Sequence, residues 1–367
     1  MQSTEQPSEL SEKETYISPL EIGEKTREEL SALFHGEKWN GEKLPPVFLK
    51  FYFGPHWSAE DADGIKPFLN EADIFMPEAS EWNDDYFREM NYISRGVETP
   101  ESRDEYEEEI RRDIFGTEKV VLFVDCSEKD VILHPELYAE TKDIDNELKH
   151  STYDRATELN FQNAMIEAQI DIVNRESYMI EHFAGKVREA ILQKPALKSK
   201  ESIRVLMTIG SAHTEIYQKM KNLGGDHISR EFRYTPSADF TDEMMRKAVF
   251  NKKIEKNTKE RALFHFLMEE GLQDRIDLLS EKTVEHYVFL RHLSSLFSAD
   301  EMRSLFDQWK SSPENFSERI LLVLEKKGIH FPKTKKEFED FIAKTQYGKY
   351  QRTLREINQN KQNEREK

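Results

Sequence analysis

Val47-Phe48-Leu49-Lys50-Phe51-Tyr52-Phe53-Gly54-Pro55-His56 is a run of β-favouring residues that stops on a glycine and a histidine, and Trp57-Ser58-Ala59-Glu60-Asp61 opens a helix after it. The arrangement returns in Ile203-Arg204-Val205-Leu206-Met207-Thr208-Ile209-Gly210-Ser211-Ala212-His213, followed by Thr214-Glu215-Ile216-Tyr217. A strand leading through a turn into a helix start is the building unit of an α/β sheet. Both runs carry few polar residues, as strands covered on both faces do. Ligand and catalytic groups of open α/β sheets gather at the carboxyl ends of strands. Each histidine is therefore placed where chemistry is expected.

Working outward, further β-rich runs at Ala72–Met76, Lys119–Val124 and Ile228–Tyr234 alternate with helical stretches. Strands separated by helices need crossover connections, so the sheet is expected to be mostly parallel. After about Asp239 the β pattern ends. Met302, Leu305, Phe306 and Trp309 follow helical spacing behind a capping box at Ser298-Ala299-Asp300-Glu301. Val284, Tyr287, Val288, Leu290, Leu293 and Phe297 behave alike. The expected fold class is α/β, a mostly parallel sheet flanked by helices, with an additional all-helical C-terminal domain or cap. The expected organisation is a polar tail and amphipathic helix (near Thr26–Phe34) over residues 1–40, an α/β domain over 41–236, a helical domain over 237–349 and a charged tail over 350–367.

Composition narrows the function classes. The 367 residues carry a formal net charge of −18, with 34% charged residues. Duplex nucleic acid and anionic membranes both demand a basic surface, so neither is expected as a partner. Cys126 is the single cysteine, which rules out an internal disulfide or a thiolate zinc cage. It ends an apolar run and reads as a packing residue. Met1-Gln2-Ser3-Thr4-Glu5-Gln6-Pro7 has neither the basic nor the apolar region of a secretory signal, and no apolar run reaches membrane-spanning length. The expected location is the cytoplasm.

The candidate site starts from His56 and His213. Gly54 and Gly210 allow sharp turns or close ligand approach. Ser58 opens a capping-box-like start, and Ser211 or Thr214 can cap the helix after His213. Beside a helix N-terminus the dipole disfavours imidazolium, so both histidines are expected neutral and able to bind metal. Ala72-Asp73-Ile74-Phe75-Met76-Pro77-Glu78 puts Glu78 just past a third run, which Pro77 helps to stop. Asp125 ends its run in the same manner, and reads more readily as structural than as a site residue. On the long helix of Phe161–Leu192, Arg175 occupies the apolar stripe between Ile172 and Met179, with Glu176 toward the same side. A guanidinium there needs a partner: Glu176, Glu78 or an anionic substrate, unless it snorkels from the stripe's margin. His35, His134, His150, His182, His227, His265, His286, His292 and His330 lack a supporting pattern. There is no Gly-X-Gly-X-X-Gly, Walker loop, Gly-X-Ser-X-Gly or His-Glu-X-X-His.

The order of these motifs resembles the TraB/Tiki superfamily, which includes erythromycin esterase-like and ChaN-like proteins. Gly210-Ser211-Ala212-His213 matches its second Gly-X-X-His, and Phe53-Gly54-Pro55-His56 resembles the first with the glycine one position late. Asp73 through Glu78 looks like the family's Asp-then-apolar-then-Glu strand. Asn174-Arg175-Glu176-Ser177-Tyr178-Met179 is similar to its arginine helix, with Glu176 in place of an amide or aspartate. Leu223-Gly224-Gly225-Asp226-His227-Ile228 is similar to its closing turn. The resemblance spans about Val47–Tyr234 and implies a metal-assisted hydrolase of peptide or ester bonds. His56, His213 and Glu78 would hold a divalent ion such as Mn, Co or Zn, or act as a general acid/base set without metal, and Glu78, Arg175 and Glu176 would serve catalysis on a small-molecule or peptide substrate. The alternative is a non-enzymatic metal-, haem- or anion-binding regulatory protein on the same fold. In that reading the helical domain, which lies outside the resemblance, would present the pocket to a protein partner.

Overall fold

The computed structural model describes residues 20–39, 41–54, 56, 59–79, 82–102, 104–127, 135–210, 213, 215–233, 240–250, 252–280, 283–353 and 356. The strands are β1 (Lys38–Trp39), β2 (Glu42–Lys43), β3 (Val47–Phe53), β4 (Ile74–Met76), β5 (Val120–Val121), β6 (Ile203–Ile209) and β7 (Ile228–Phe232). β1 and β2 form a small antiparallel hairpin. The other five build one parallel sheet in the order β5-β4-β6-β3-β7. The chain is an α/β protein with additional helical regions.

β6 lies between β3 and β4, so the two Gly/His strands are neighbours although some 150 residues part them in sequence. Their register pairs Phe53 with Ile209, and the Gly54 N–H donates to the Ile209 carbonyl at 3.3 Å. Gly54 and Gly210 therefore leave the sheet side by side.

The pleat sends alternate residues to opposite faces, and both faces are buried. Val47, Leu49, Phe51 and Phe53 of β3, with Ile203, Val205, Met207 and Ile209 of β6, enter one core. Helices Glu24–His35, Arg175–Gln193 and Glu215–Gly224 cover that side through Leu30, Phe34, Ile180, Phe183, Ile216 and Met220. Tyr52, Phe75, Val121 and Leu206 face the other way, under Leu69, Met90, Ile93, Ile110 and Ile114 of helices Lys66–Glu71, Asp84–Ser94 and Glu105–Ile114.

A separate apolar cluster joins helices Lys256–Asp277, Thr283–Ser295, Ala299–Ser311, Phe316–Lys326 and Lys335–Ile342. The expected capping box is present: Ser298 accepts from the Glu301 N–H, and the Glu301 carboxylate accepts from the Ser298 N–H at 2.8 Å. Packing crosses the boundaries expected from sequence. Helix Glu24–His35 belongs to the sheet's core, while Ile144, Leu148, Tyr153 and Leu159 of helices Pro135–His150 and Tyr153–Ala168 join the helical cluster. The β-rich runs are also trimmed. Lys119–Val124 pairs only over Val120–Val121, and Ala72–Met76 only over Ile74–Met76. The end of Ile228–Tyr234 and the helix openings at Ser58, Ser211 and Thr214 lie partly or wholly outside the described residues.

No helix among the described residues is long and apolar enough to cross a membrane.

Candidate functional site

Four strand ends and one helix build the site. β3 brings His56, β4 brings Glu78, β6 brings Gly210 and His213, and the segment after β5 brings Asp125. Arg175 and Glu176 arrive on the long helix. That helix runs Tyr153–Ala168, continues as a π-helix over Gln169–Asn174, and resumes at Arg175–Gln193. The wider π turn ends immediately before Arg175, and such turns often sit at functional positions. It changes the angular phase of the helix, and both Arg175 and Glu176 reach the strand ends.

Glu78 is the hub. Its Oε1 accepts from Arg175 Nη2 at 2.9 Å and lies 3.3 Å from His213 Nε2. Its Oε2 accepts from the Gly210 backbone N–H and lies 3.6 Å from His56 Nδ1. Gly210 allows this approach, since a Cβ there would stand 3.2 Å from Oε2.

Around this hub the charges are held in pairs. Arg175 grips Asp125 with Nε 3.1 Å from Oδ1 and Nη2 bonded to Oδ2. Asp125 is held in turn by the Cys126 N–H at 2.8 Å, and its carbonyl accepts from Trp82 Nε1 at 2.8 Å. Glu176, fully buried, lies 3.5 Å from His213 Nδ1 and accepts from the Ile216 N–H at 2.8 Å. His213 thus stands between two carboxylates. Tyr106 lies flat against His56, with ring centroids 5.0 Å apart and planes 24° apart.

Protonation follows from these contacts. Burial works against a charge on His213, yet the Glu78 charge and the facing Glu176 carboxylate push it up to about 9. Burial lowers His56 below its ordinary value, with only partial compensation from Glu78. Burial works to raise the Glu78 carboxyl, but His213, His56 and Arg175 hold it well below the usual range. Burial raises Glu176, against the pull of His213. The two histidines therefore differ: His213 is an imidazolium at neutral pH and His56 is neutral. The expectation that a helix N-terminus keeps both neutral is corrected for His213, because two carboxylates at contact distance outweigh a helix-end partial charge.

His56, Glu78, His213, Arg175 and Glu176 are all brought together. The expected options for Arg175 are resolved in favour of Glu78, while Glu176 turns to His213 instead. Asp125, read from sequence as structural, is the principal partner of Arg175. Tyr106 was missed, because it sits in the acidic stretch Glu105–Ile114 with no motif around it. Cys126 is buried, as a packing residue is.

A divalent ion, as the resemblance implies, would need free donor atoms here. His213 carries its proton between two carboxylates, and both Glu78 oxygens are engaged by Arg175, Gly210 and the imidazoles. Among the described residues no group of three or more His, Cys, Asp or Glu side chains is placed to hold a metal ion. In this arrangement the residues do not fit a divalent ion.

No family model, no curated protein and no solved structure matches the chain.

Proposed function

We propose that the chain is a hydrolase of ester or peptide carbonyls that works by acid/base chemistry at His56, Glu78, His213 and Arg175. One observation carries the reading: a neutral and a charged imidazole share a single partly buried carboxylate at the carboxyl edge of a parallel sheet. His56 is the base. Its Nδ1 side faces Glu78, while its Nε2 has no hydrogen-bond partner among the described residues and can accept a proton from an attacking water. Glu78 favours the imidazolium that results. His213 and Arg175 supply the positive charge against which an oxyanion develops. Glu176 and Asp125 hold those cations in place. No step passes through a metal.

The test is a panel of p-nitrophenyl esters and short peptides, with the unmodified protein beside His56→Gln and Glu78→Gln. Turnover lost in both variants supports the reading. Turnover unchanged in His56→Gln sinks it. Metal content of the purified protein beside a His56→Ala/His213→Ala double variant separates the metal-assisted form: bound metal that disappears in the double variant would overturn the metal-free mechanism.

The mutual saturation of Glu78 favours a second reading, an anion-binding regulatory protein on the same site. Binding of a carboxylate or phosphate that depends on Arg175, with no turnover on any substrate, would support it. Under either reading the helical cluster is a candidate surface for a protein partner.

A further inference from the structure

His56 has little to fix its plane. Its Nδ1 stands 3.6 Å from Glu78, beyond hydrogen-bond length, and its Nε2 has no partner among the described residues. Rotation of an imidazole about Cβ–Cγ is soft, with broad wells. A base that turns by a few tens of degrees presents the wrong nitrogen edge to its proton, and small misplacements of reacting groups cost large factors in rate.

The face of Tyr106 supplies the missing constraint. Its ring is nearly parallel to the imidazole at 5.0 Å. Its backbone belongs to the first turn of helix Glu105–Ile114, which is anchored on every side. Asp104 caps the turn by accepting from the Glu107 N–H at 2.8 Å. Glu107 accepts from Ser102 at 2.7 Å and from Tyr86 at 2.6 Å, and Arg111 bonds Glu89, Glu107 and the Glu101 carbonyl. Ile110 and Ile114 lock the helix into the core under the sheet.

We infer that Tyr106 is a positioning residue, whose ring holds the His56 imidazole with Nδ1 toward Glu78 and Nε2 toward the reacting water. The inference rests on His56 being the base. It assigns the work to the ring face and not to the hydroxyl, so phenylalanine replaces tyrosine and an aliphatic side chain does not.

The test uses the full chain labelled with imidazole-¹⁵N,¹³C histidine, with the His56 signals assigned by their loss in His56→Gln. Tyr106→Phe is expected to leave the His56 cross-peaks in place. Tyr106→Leu is expected to shift or broaden them while the His213 and His265 cross-peaks stay. Unmoved His56 cross-peaks in Tyr106→Leu would overturn the inference. So would a change shared by all histidines, repeated in Tyr106→Phe, which would mark a general loss of structure. p-Nitrophenyl acetate hydrolysis is followed in parallel, with kcat expected to fall by about tenfold or more in Tyr106→Leu at unchanged KM. If the unmodified protein shows no turnover but Tyr106→Leu still moves His56, the positioning contact stands and the hydrolase reading fails.

Discussion

Arg175 and Asp125, 50 residues apart in sequence, meet through two parallel N–H···O contacts, with Nε 3.1 Å from Oδ1 and Nη2 on Oδ2. The Asp125 side chain is 1% exposed and that of Arg175 is 18% exposed, so water does little to share the charge. Burial opposes the Arg175 charge, and Asp125 and Glu78 more than restore it. A planar fork suits this contact, whereas an ammonium presents a single point of charge.

Removing one partner strands the other in a dry place. Asp125→Ala is expected to cost about 3–5 kcal/mol of unfolding free energy, read by urea denaturation. Arg175→Lys is expected to keep the charge but lose the parallel contact, lowering stability less and ester turnover more. A denaturation midpoint unmoved in Asp125→Ala would show that the pair is not holding the site together.

Gly210 makes a narrower prediction. A methyl group there meets Glu78 Oε2 at 3.2 Å and His213 Cδ2 at 3.8 Å. Gly210→Ala is therefore expected to push the carboxylate by a few tenths of an ångström while leaving the sheet intact. Turnover falling about tenfold, with a melting temperature within a few degrees of the unmodified protein, is the outcome that agrees.

The charge on His213 links stability to alkaline pH. In the unfolded chain the group titrates near 6.5, and in the folded chain near 9. The folded state binds more protons between those values, so this stabilisation is complete below about pH 6.5 and is lost as pH rises through 9. Chemical denaturation from pH 6 to pH 9.5 should show the decline, and His213→Gln should flatten it. A decline of equal slope in the variant would assign it elsewhere.

His265 acts in the opposite direction. It is buried in the helical cluster, neither ring nitrogen is hydrogen-bonded among the described residues, and burial, aided by the charge of Arg291, pushes it down to about 3. The unfolded chain therefore binds more protons between about pH 3 and 6.5. Stability should fall as pH drops through that window, by about 1.4 kcal/mol per unit for a fully buried group. His265→Phe should remove most of that acid sensitivity, measured as the denaturation midpoint at pH 6.5 and pH 4.5. Equal losses in both proteins would count against it.

Much of the sheet was legible because its signal is local. Val47–Phe53 and Ile203–Ile209 are long enough, and apolar enough on both faces, to declare buried strands without help from elsewhere. The shorter runs were overextended: the ladder closes with the Leu122 N–H on the Phe75 carbonyl, and Phe123 and Val124 beyond it are buried by packing. The organisation of the helices was harder. Nothing in Pro135–Ala168 distinguishes a helix that covers a sheet from one that joins other helices, since both need one apolar face. Four of the five residues singled out from the sequence sit at a strand end or interrupt an apolar stripe, and Glu176 follows the one on the stripe. Tyr106 interrupts nothing.

Local chemistry written along the chain determined the strands, the paired glycine–histidine turns and the presence of an arginine on an apolar helix face. Only the folded arrangement decided that β6 slides between β3 and β4, that Arg175 takes Asp125 and Glu78 while Glu176 takes His213, and that one histidine is charged and the other neutral. The reason is the range of the forces. Backbone propensity and hydrophobic periodicity act over a few residues, whereas the charge state of a buried group depends on whatever stands within a few ångströms, from any distance along the chain.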